Sequence, residues 1–382
     1  MSTNIMHNIK YNPISQAELK SILKIEDLSV QTKENNHAIK LILEDLLTAL
    51  SKLQKNLDIE VVKLSPIVKL ADNFDRLRFS KDNPGRSSTY TKYLDRETVL
   101  RTHTSAMIPP TLDRLSKTDF KDKLLVLPGL VYRRDVTDKT HAGVFHHGDV
   151  WRITKNKQYS KQDLLDLVGI LFKTLMPNYE PIIYETEHPY TLNGIEVYAK
   201  VGEKEIEILE AGLIHPEILS GSGLNPNNYS GLALGSGLER ILMVRKNLPD
   251  IRLIRSTDPR IKSQMENLDI YKPVSLMPAV SRDMSYSVPN DYTEEDIHED
   301  LRLSLNENVK ILEEVIIISQ TNYQDLQEVA RQKLGIKPNQ KNILVRLILR
   351  DLDRTLTKEY ANQLMDNIYK QVNQSGTLGY SG

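Results

Sequence analysis

Apolar positions recur along this chain with two periods, and the order in which they alternate predicts its architecture. Ile39, Ile42, Leu43, Leu46, Leu47 and Leu50 fall mostly three and four residues apart, which puts them on one face of a helix buried on that side. Leu164, Leu165, Leu167, Val168, Leu171, Phe172 and Leu175 predict a second such helix. Elsewhere the pattern is strand-like. Runs at 124–132 and 144–153 bracket a polar stretch, and further runs follow at 181–184, 195–201 and 205–208. Residues 61–70 are apolar and β-branched at their start, a Gly/Pro/Ser-rich loop follows at 81–88, and 231–243 pass from a glycine-rich strand into a helix. Many strands with few covering helices predict a mostly antiparallel sheet.

A linker is expected at 271–278. Beyond it, 280–288 alternate as a strand, 293–309 have helical spacing, 311–319 and 343–350 read as strands, and 357–372 as a helix. A β-α-β-β-α-β order fits a ferredoxin-like domain of about 100 residues. The expected organisation is an N-terminal extension of no clear role (1–30), a core (31–270), the linker, and a second domain (279–382). The fold class is therefore α+β.

Composition narrows the chemistry. With 40% apolar and 26% charged residues in 382, the chain can bury a substantial core. No apolar run reaches the ~18–20 residues that span a bilayer, and residues 1–11 lack a signal-peptide core. A soluble chain without a membrane partner is expected, in the cytoplasm or an organelle matrix. The absence of cysteine excludes disulfides, thiolate metal sites and a thiol nucleophile, so a metal here would be a hard cation on carboxylate and phosphate oxygens. Net charge is −1, but Arg331, Lys333, Lys337, Lys341, Arg346, Arg350, Arg354 and Lys358 face only Asp351 and Asp353. Such a run is either a solvated face or an RNA contact, with Arg346, Arg350 and Arg354 the candidates.

The densest chemistry lies at 129–147. Arg133 and Arg134 lead into a polar turn, and Phe145, His146 and His147 return from it. An arginine keeps its proton and forks onto phosphate oxygens, while Phe145 offers a flat face for a base. Downstream, Gly235-Ser-Gly237 let backbone pass close to a ligand, and Arg240 lies one turn into a helix whose N-terminus favours anions. Upstream, Arg101-Thr-His103-Thr-Ser105 offers an imidazole and a hydroxyl, suited either to orienting a carboxylate or to capping a helix near Ile108.

These three segments, in this order, resemble the catalytic core of class II aminoacyl-tRNA synthetases, most closely the phenylalanyl enzymes. The similarity spans about 36–382, and 73–105 is similar to the family's first motif and its approach. The resemblance implies activation of an amino acid by ATP with Mg2+, then transfer to tRNA. It implies that Arg133 binds the α-phosphate, Asp135 contacts adenine, Phe145 stacks on the base, and His141 and Arg240 hold the outer phosphates. Gly235 and Gly237 would flank the nucleotide, and Glu207 is a candidate metal ligand. His103, Ser105, His147, Asp149, Tyr184, Thr186, Glu210 and Ala233 would surround the amino acid. Ala211-Gly-Leu-Ile-His-Pro216 resembles a motif at the pocket floor. The C-terminal part, with Ser281-Arg-Asp283 and Asp353-Arg-Thr-Leu-Thr357, resembles a ferredoxin-fold anticodon-binding domain. Both parts in one chain resemble the organelle-type enzyme, so a monomer or homodimer is expected.

The departures all concern the amino acid. Family members usually carry Phe-His-Gln-x-Glu-Gly where this chain has Phe145-His-His-Gly-Asp149-Val150; Phe-x-Phe becomes Tyr184-Glu-Thr186, and Gly-Gly becomes Leu209-Glu210. A buried unpaired carboxylate costs several kcal/mol. Either Glu210 points away from the ligand, or the ligand is polar or cationic. Phenylalanine is the default substrate. A paralogue using a more polar amino acid and a non-catalytic RNA-binding protein are the alternatives.

Overall fold

The computed structural model describes residues 12–30, 36–55, 57–135, 137–273 and 277–373. Contacts within the chain divide it into two units. One contains the chain up to Arg133, Val144–Leu248 and Lys262–Tyr271; the other contains Arg134–Gly143, Pro249–Ile261 and the chain from Lys272 onward. The division is thus not a single cut at 271–278, of which residues 274–276 lie outside the described residues.

Seven strands form the sheet of the first unit: β1 (Asp58–Val61), β2 (Asp122–Tyr132), β3 (Val144–Lys155), β4 (Pro181–Glu185), β5 (Thr191–Val201), β6 (Lys204–Ile214) and β7 (Tyr229–Gly237). Their order is β1-β2-β3-β7-β6-β5-β4, and only the β1–β2 pair is parallel. The apolar stretch 61–70 is therefore divided: its start closes β1, and Ile67–Lys69 pairs with Thr98–Leu100 in a small separate sheet. Leu124, Leu125, Val126 and Leu127 are fully buried, so β2 shows a continuous apolar run where an exposed sheet would alternate. The two predicted helices, Ala38–Ser51 and Lys161–Leu175, are present and pack together. A reciprocal Ser160–Asp163 capping box starts the second.

The N-terminal segment has a structural role that its polarity concealed. Ser15 caps a helix, Gln16–Ile22, and Ile14, Leu19 and Ile22 join Leu100, Leu130 and Tyr132 in one apolar cluster. Leu28 donates its backbone N–H to Nε2 of the buried His146 at 2.9 Å.

In the second unit, β8 (Val280–Pro289), β9 (Leu312–Asn322) and β10 (Gln340–Leu349) form an antiparallel sheet in the order β8-β10-β9. Met284, Tyr286, Ile343, Val345 and Leu347 share a core with Ile297, Leu301, Leu364, Met365 and Ile368 from the helices Glu294–Leu305 and Lys358–Val372. A short helix, Glu328–Leu334, intervenes where none was expected. A strand closing the β-α-β-β-α-β order would fall at 374–382, outside the described residues. Among the described residues, no helix is long and apolar enough to cross a membrane.

Candidate active site

Strand register brings the candidate nucleotide residues to one end of the first unit's sheet. Tyr132 of β2 pairs with Val144 of β3, and His147 of β3 pairs with Gly237 of β7. The end of β2, the start of β3 and the end of β7 thus lie side by side. Arg133 leaves the first of these edges and Arg240 the last.

Arg133 is held by its Nε donating to the Thr102 carbonyl at 3.1 Å. Its guanidinium carbon lies 5.0 Å from the Phe145 ring centre and 5.3 Å from that of Tyr90. Two aromatic rings therefore flank the cation while its outer nitrogens remain for another partner. Arg240 stands on the helix Leu238–Lys246, with Gly237 at its N-cap. No side chain caps that end, and a Cβ on Gly237 would meet nothing within 4 Å. Glycine there is not demanded by the chain's own packing; it leaves open space before a row of free N–H groups. Gly235 differs, since a Cβ would come within 3.1 Å of Asp149 Oδ1 and 3.2 Å of His147 Cε1. Arg240 Nη1 donates to Glu207 Oε2 at 3.2 Å, with both side chains about two-fifths exposed. The proposed phosphate ligand and the proposed metal ligand therefore hold each other. Among the described residues, no group of three metal-ligating side chains gathers, so a cation at Glu207 would need oxygens from a ligand.

The hairpin turn does not follow its strands. Asp135 and His141, expected over the nucleotide beside Arg133, lie in the segment that groups with the second unit. There the Asp138 carboxylate accepts from the N–H of Thr140 and His141, and His141 Nδ1 lies 3.2 Å from it. An aspartate that closes its own turn is a local signal, but it does not reveal which unit the turn joins.

Four of the candidate amino-acid residues, His147, Asp149, Glu210 and Ala233, lie on β3, β6 and β7. Asp149, Glu210, Ala233 and Gly235 line one cavity with Trp151, His188, Tyr190 and Thr191. Asp149 is 1% exposed; its Oδ1 accepts from the Thr104 hydroxyl at 3.0 Å, and Oδ2 has no partner among the described residues. His147 Nδ1 lies 2.7 Å from the Thr104 hydroxyl and 3.1 Å from Asp149 Oδ1. The nitrogens of His103 are likewise buried without a partner among the described residues, its ring stacked on Phe79 at 5.5 Å. Burial lowers the His103 pKa to about 4 against the pull of Asp149, so the ring is neutral at pH 7.

Glu210 resolves differently from either sequence expectation. It points into the cavity, but its Oε2 lies 3.0 Å from His188 Nε2. Burial pushes Glu210 up while the His188 bond and charge bring it down to about 2; the same pair raises His188 against its own burial. The carboxylate is thus an ion pair supplied by the chain, and an apolar ligand would not face an unpaired charge.

Tyr184 and Thr186 do not line this cavity. Tyr184, on the edge strand β4, is 47% exposed and donates to Glu205 Oε2 at 2.8 Å, and the Thr186 N–H donates to the Gly194 carbonyl. The cavity's aromatic surface comes instead from Tyr190 and Trp151, which the sequence reading missed, with Phe79 tilted against Tyr190. One signal was available: Trp151, the single tryptophan, lies two residues from Asp149 on the same strand and hence on the same face.

In the second unit each candidate RNA-contacting arginine has a carboxylate partner. Arg346 forms a two-pronged pair with Asp283 (2.6 and 2.8 Å), and Arg354 reaches Asp351 at 2.9 Å. Arg350 bonds Glu313 and the Met277 carbonyl. The first two pairs leave their arginines exposed, whereas the Glu313 carboxylate is 5% exposed and ties Arg350 into the fold.

Comparison with known proteins finds one family for each part of the chain, with Arg134–Gly143 and Pro249–Ile261 falling inside the first match. Residues 25–265 match the family described as tRNA synthetases class II core domain (F), and residues 275–378 match the ferredoxin-fold anticodon binding domain. A chloroplastic/mitochondrial phenylalanine–tRNA ligase of Arabidopsis thaliana is 31% identical over 322 residues, covering 81% of this chain and 70% of the relative. A phenylalanine–tRNA ligase alpha subunit of Lactococcus lactis subsp. cremoris (strain SK11) is 32% identical over 274 residues, covering 66% and 77%.

Proposed function

The chain belongs to the class II tRNA synthetase family, and from that premise we propose that it is a phenylalanine–tRNA ligase using ATP and Mg2+. The observation that carries the reading is the position of Arg133, Phe145 and Arg240 at one sheet end, with Asp149 on the same strand as Phe145, a buried carboxylate whose Oδ2 has no partner among the described residues.

In this mechanism the substrate carboxylate attacks the α-phosphorus of ATP. An oxygen–phosphorus bond forms, the α–β bridging bond breaks, and pyrophosphate leaves with the electron pair. The attacking oxygen is already ionised, so no general base is required and catalysis rests on positioning and charge. Phe145 receives the adenine face, Arg133 forks onto the α-phosphate, and Arg240 exchanges Glu207 for the outer phosphates. Glu207, released from Arg240, is suited to help hold Mg2+, which supplies charge neutralisation between phosphates when bound. Asp149 accepts the substrate ammonium, and neutral His103 with Ser105 orients its carboxylate without adding net charge. Asp135 and His141 remain candidates for the nucleotide. The aminoacyl group of the resulting mixed anhydride then passes to a ribose hydroxyl of tRNA: an ester bond forms, the acyl–oxygen bond to the phosphate breaks, and AMP leaves, while the second unit's Arg346 and Arg354 help to hold the tRNA. We read the chain, which carries both family domains, as a monomer or homodimer, placed where tRNA is charged in cytoplasm or organelle.

Amino-acid-dependent exchange of labelled pyrophosphate into ATP, run across all twenty amino acids, tests this reading. Stimulation by phenylalanine is expected; stimulation by another acid alone replaces the substrate, and none by any acid removes the ligase reading.

A further inference from the structure

The ring proposed to receive adenine stands at a strand end that the sheet supports on one side only. Phe145 and His146 pair with β2, but pairing between β3 and β7 begins at His147 and Gly237. Glu239 takes the place of the missing strand partner: its Oε2 accepts the His146 N–H at 2.7 Å, and its Oε1 lies 2.6 Å from His146 Nδ1. Successive side chains of a strand point to opposite faces, so His146 turns away from the face of Phe145, and it is fully buried there. Its Nε2 accepts the Leu28 N–H at 2.9 Å and lies 3.2 Å from Asp27 Oδ1. Burial pushes the Asp27 carboxyl up, yet hydrogen bonds from His146 and Ser29 hold it well below its usual range, so it is ionised at neutral pH. The apolar part of the N-terminal segment packs on the same face. His146 pairs with Leu130, cross-strand partners share a face, and Leu130 and Tyr132 cluster with Ile14, Leu19 and Ile22. The segment is also tied to the chain beside the other ring. The Ile14 N–H donates to the Tyr93 carbonyl at 2.8 Å and Lys92 donates to Glu18 Oε1 at 3.3 Å, while Thr91, next to Tyr90, forms an isolated antiparallel bridge with Arg133.

One segment thus grips the chain next to both rings that flank the Arg133 guanidinium. Resting on the ATP-binding reading above, we propose that Asp27 and Leu28 are positioning residues for the nucleotide: acting through His146, they hold Phe145 beside Arg133, set in advance for the adenine ring and the α-phosphate. With His146 pinned by Glu239 on one side and by the N-terminal segment on the other, the end of β3 is fixed before ATP arrives. Without the Asp27 contact, part of the population holds the ring elsewhere, and apparent ATP affinity falls by the fraction lost. The amino-acid residues do not share this dependence. His147 pairs with Gly237 and Asp149 with Gly235, so β7 holds both in place whatever the N-terminal segment does. The expected signature is therefore a change in ATP binding alone, whereas a purely structural role would lower the amount of active protein and move neither KM.

Equilibrium dialysis of ATP and pyrophosphate exchange test this in Asp27→Ala, His146→Asn and His146→Gln, each assayed where circular dichroism shows the chain folded. Asp27→Ala is expected to raise the Kd and the KM for ATP about five- to tenfold, as when only a tenth to a fifth of the molecules hold the ring ready, with the KM for phenylalanine within about twofold. An asparagine amide reaches where Nδ1 stands and keeps Glu239 alone; a glutamine amide reaches where Nε2 stands and keeps the N-terminal segment. His146→Asn should therefore match Asp27→Ala, and His146→Gln should lie nearer wild type. If Asp27→Ala does not fold, Asp27→Asn carries the same expectation, because it keeps an oxygen for Ser29 and removes the charge facing His146. An unchanged Kd for ATP overturns the proposal, as does a KM for phenylalanine that rises equally or a wild-type chain that binds no ATP. ATP binding weakened by Asp27→Ala, with no exchange stimulated by any amino acid, refutes the ligase reading while leaving the positioning role intact.

Discussion

Single side chains in this protein divide into those that hold the fold and those whose charge has been left for something else. Arg240 and Glu207 are both well exposed, and such pairs contribute about 0–1 kcal/mol. Arg240→Ala should leave urea unfolding nearly unchanged while reducing pyrophosphate exchange on the order of 10²-fold or more, the scale seen when one donor to a developing charge is lost. A variant that unfolds early, or that exchanges normally, places Arg240 outside the nucleotide site. His103 carries a different signature. Folding holds its imidazole near pKa 4, whereas the unfolded chain protonates it near ~6.5. Between those values the unfolded state binds the additional proton, so stability falls as pH drops through about 6.5 to 4, by roughly 3 kcal/mol at the acid end. His103→Phe keeps a ring against Phe79 and removes the titration. Urea midpoints measured across that range should slope less in the variant, and equal slopes would mean that the buried ring is not held neutral.

At the scale of elements, periodic segments were legible because burial imposes period on sequence. The helices Ala38–Ser51 and Lys161–Leu175 and the strands β2 and β3 differ from expectation by only a few residues at their ends. Segments whose partners are distant in sequence were not. The turn at Arg134–Gly143 reads as part of its own hairpin, since nothing local reports a preference for the second unit. Tyr184 reads as a pocket aromatic until strand order puts β4 at the sheet edge, while Tyr190, one residue before β5 and unmarked by any motif, is the ring whose hydroxyl reaches Glu210. The N-terminal helix was obscured similarly, three apolar side chains being too few to dominate a polar stretch. Ile22 is 9% exposed within its cluster, so Ile22→Ala should cost about 2 kcal/mol in chemical denaturation, the low end for a core truncation. A cost below ~0.5 kcal/mol would return residues 12–30 to the status of an appendage.

Across the whole molecule, net charge near zero goes with local pairing of many of its cations, which bears on how it holds RNA. Affinity for nucleic acid depends on how many phosphates find a free cation, and each contact adds to the salt dependence. The basic run from Arg331 to Lys358 loses Arg350 to Glu313 and the Met277 carbonyl, within the fold of the second unit. Arg346 can change partners more easily, because an exposed ion pair opposes a phosphate weakly while a mostly buried one does not. The two positions should therefore separate in experiment. Arg346→Ala should raise the KM for tRNA several-fold and flatten its dependence on salt, with pyrophosphate exchange and thermal unfolding unchanged. Arg350→Ala should instead lower the unfolding midpoint of the second unit, because it leaves the nearly buried Glu313 carboxylate with Lys139 alone as its cationic partner, with tRNA affinity falling only where that unit melts. If Arg350→Ala weakens tRNA binding at temperatures where the unit remains folded, the cation reaches RNA directly. If Arg346→Ala leaves the KM for tRNA and its salt slope untouched, this face of β10 is solvated surface and the phosphates are held elsewhere.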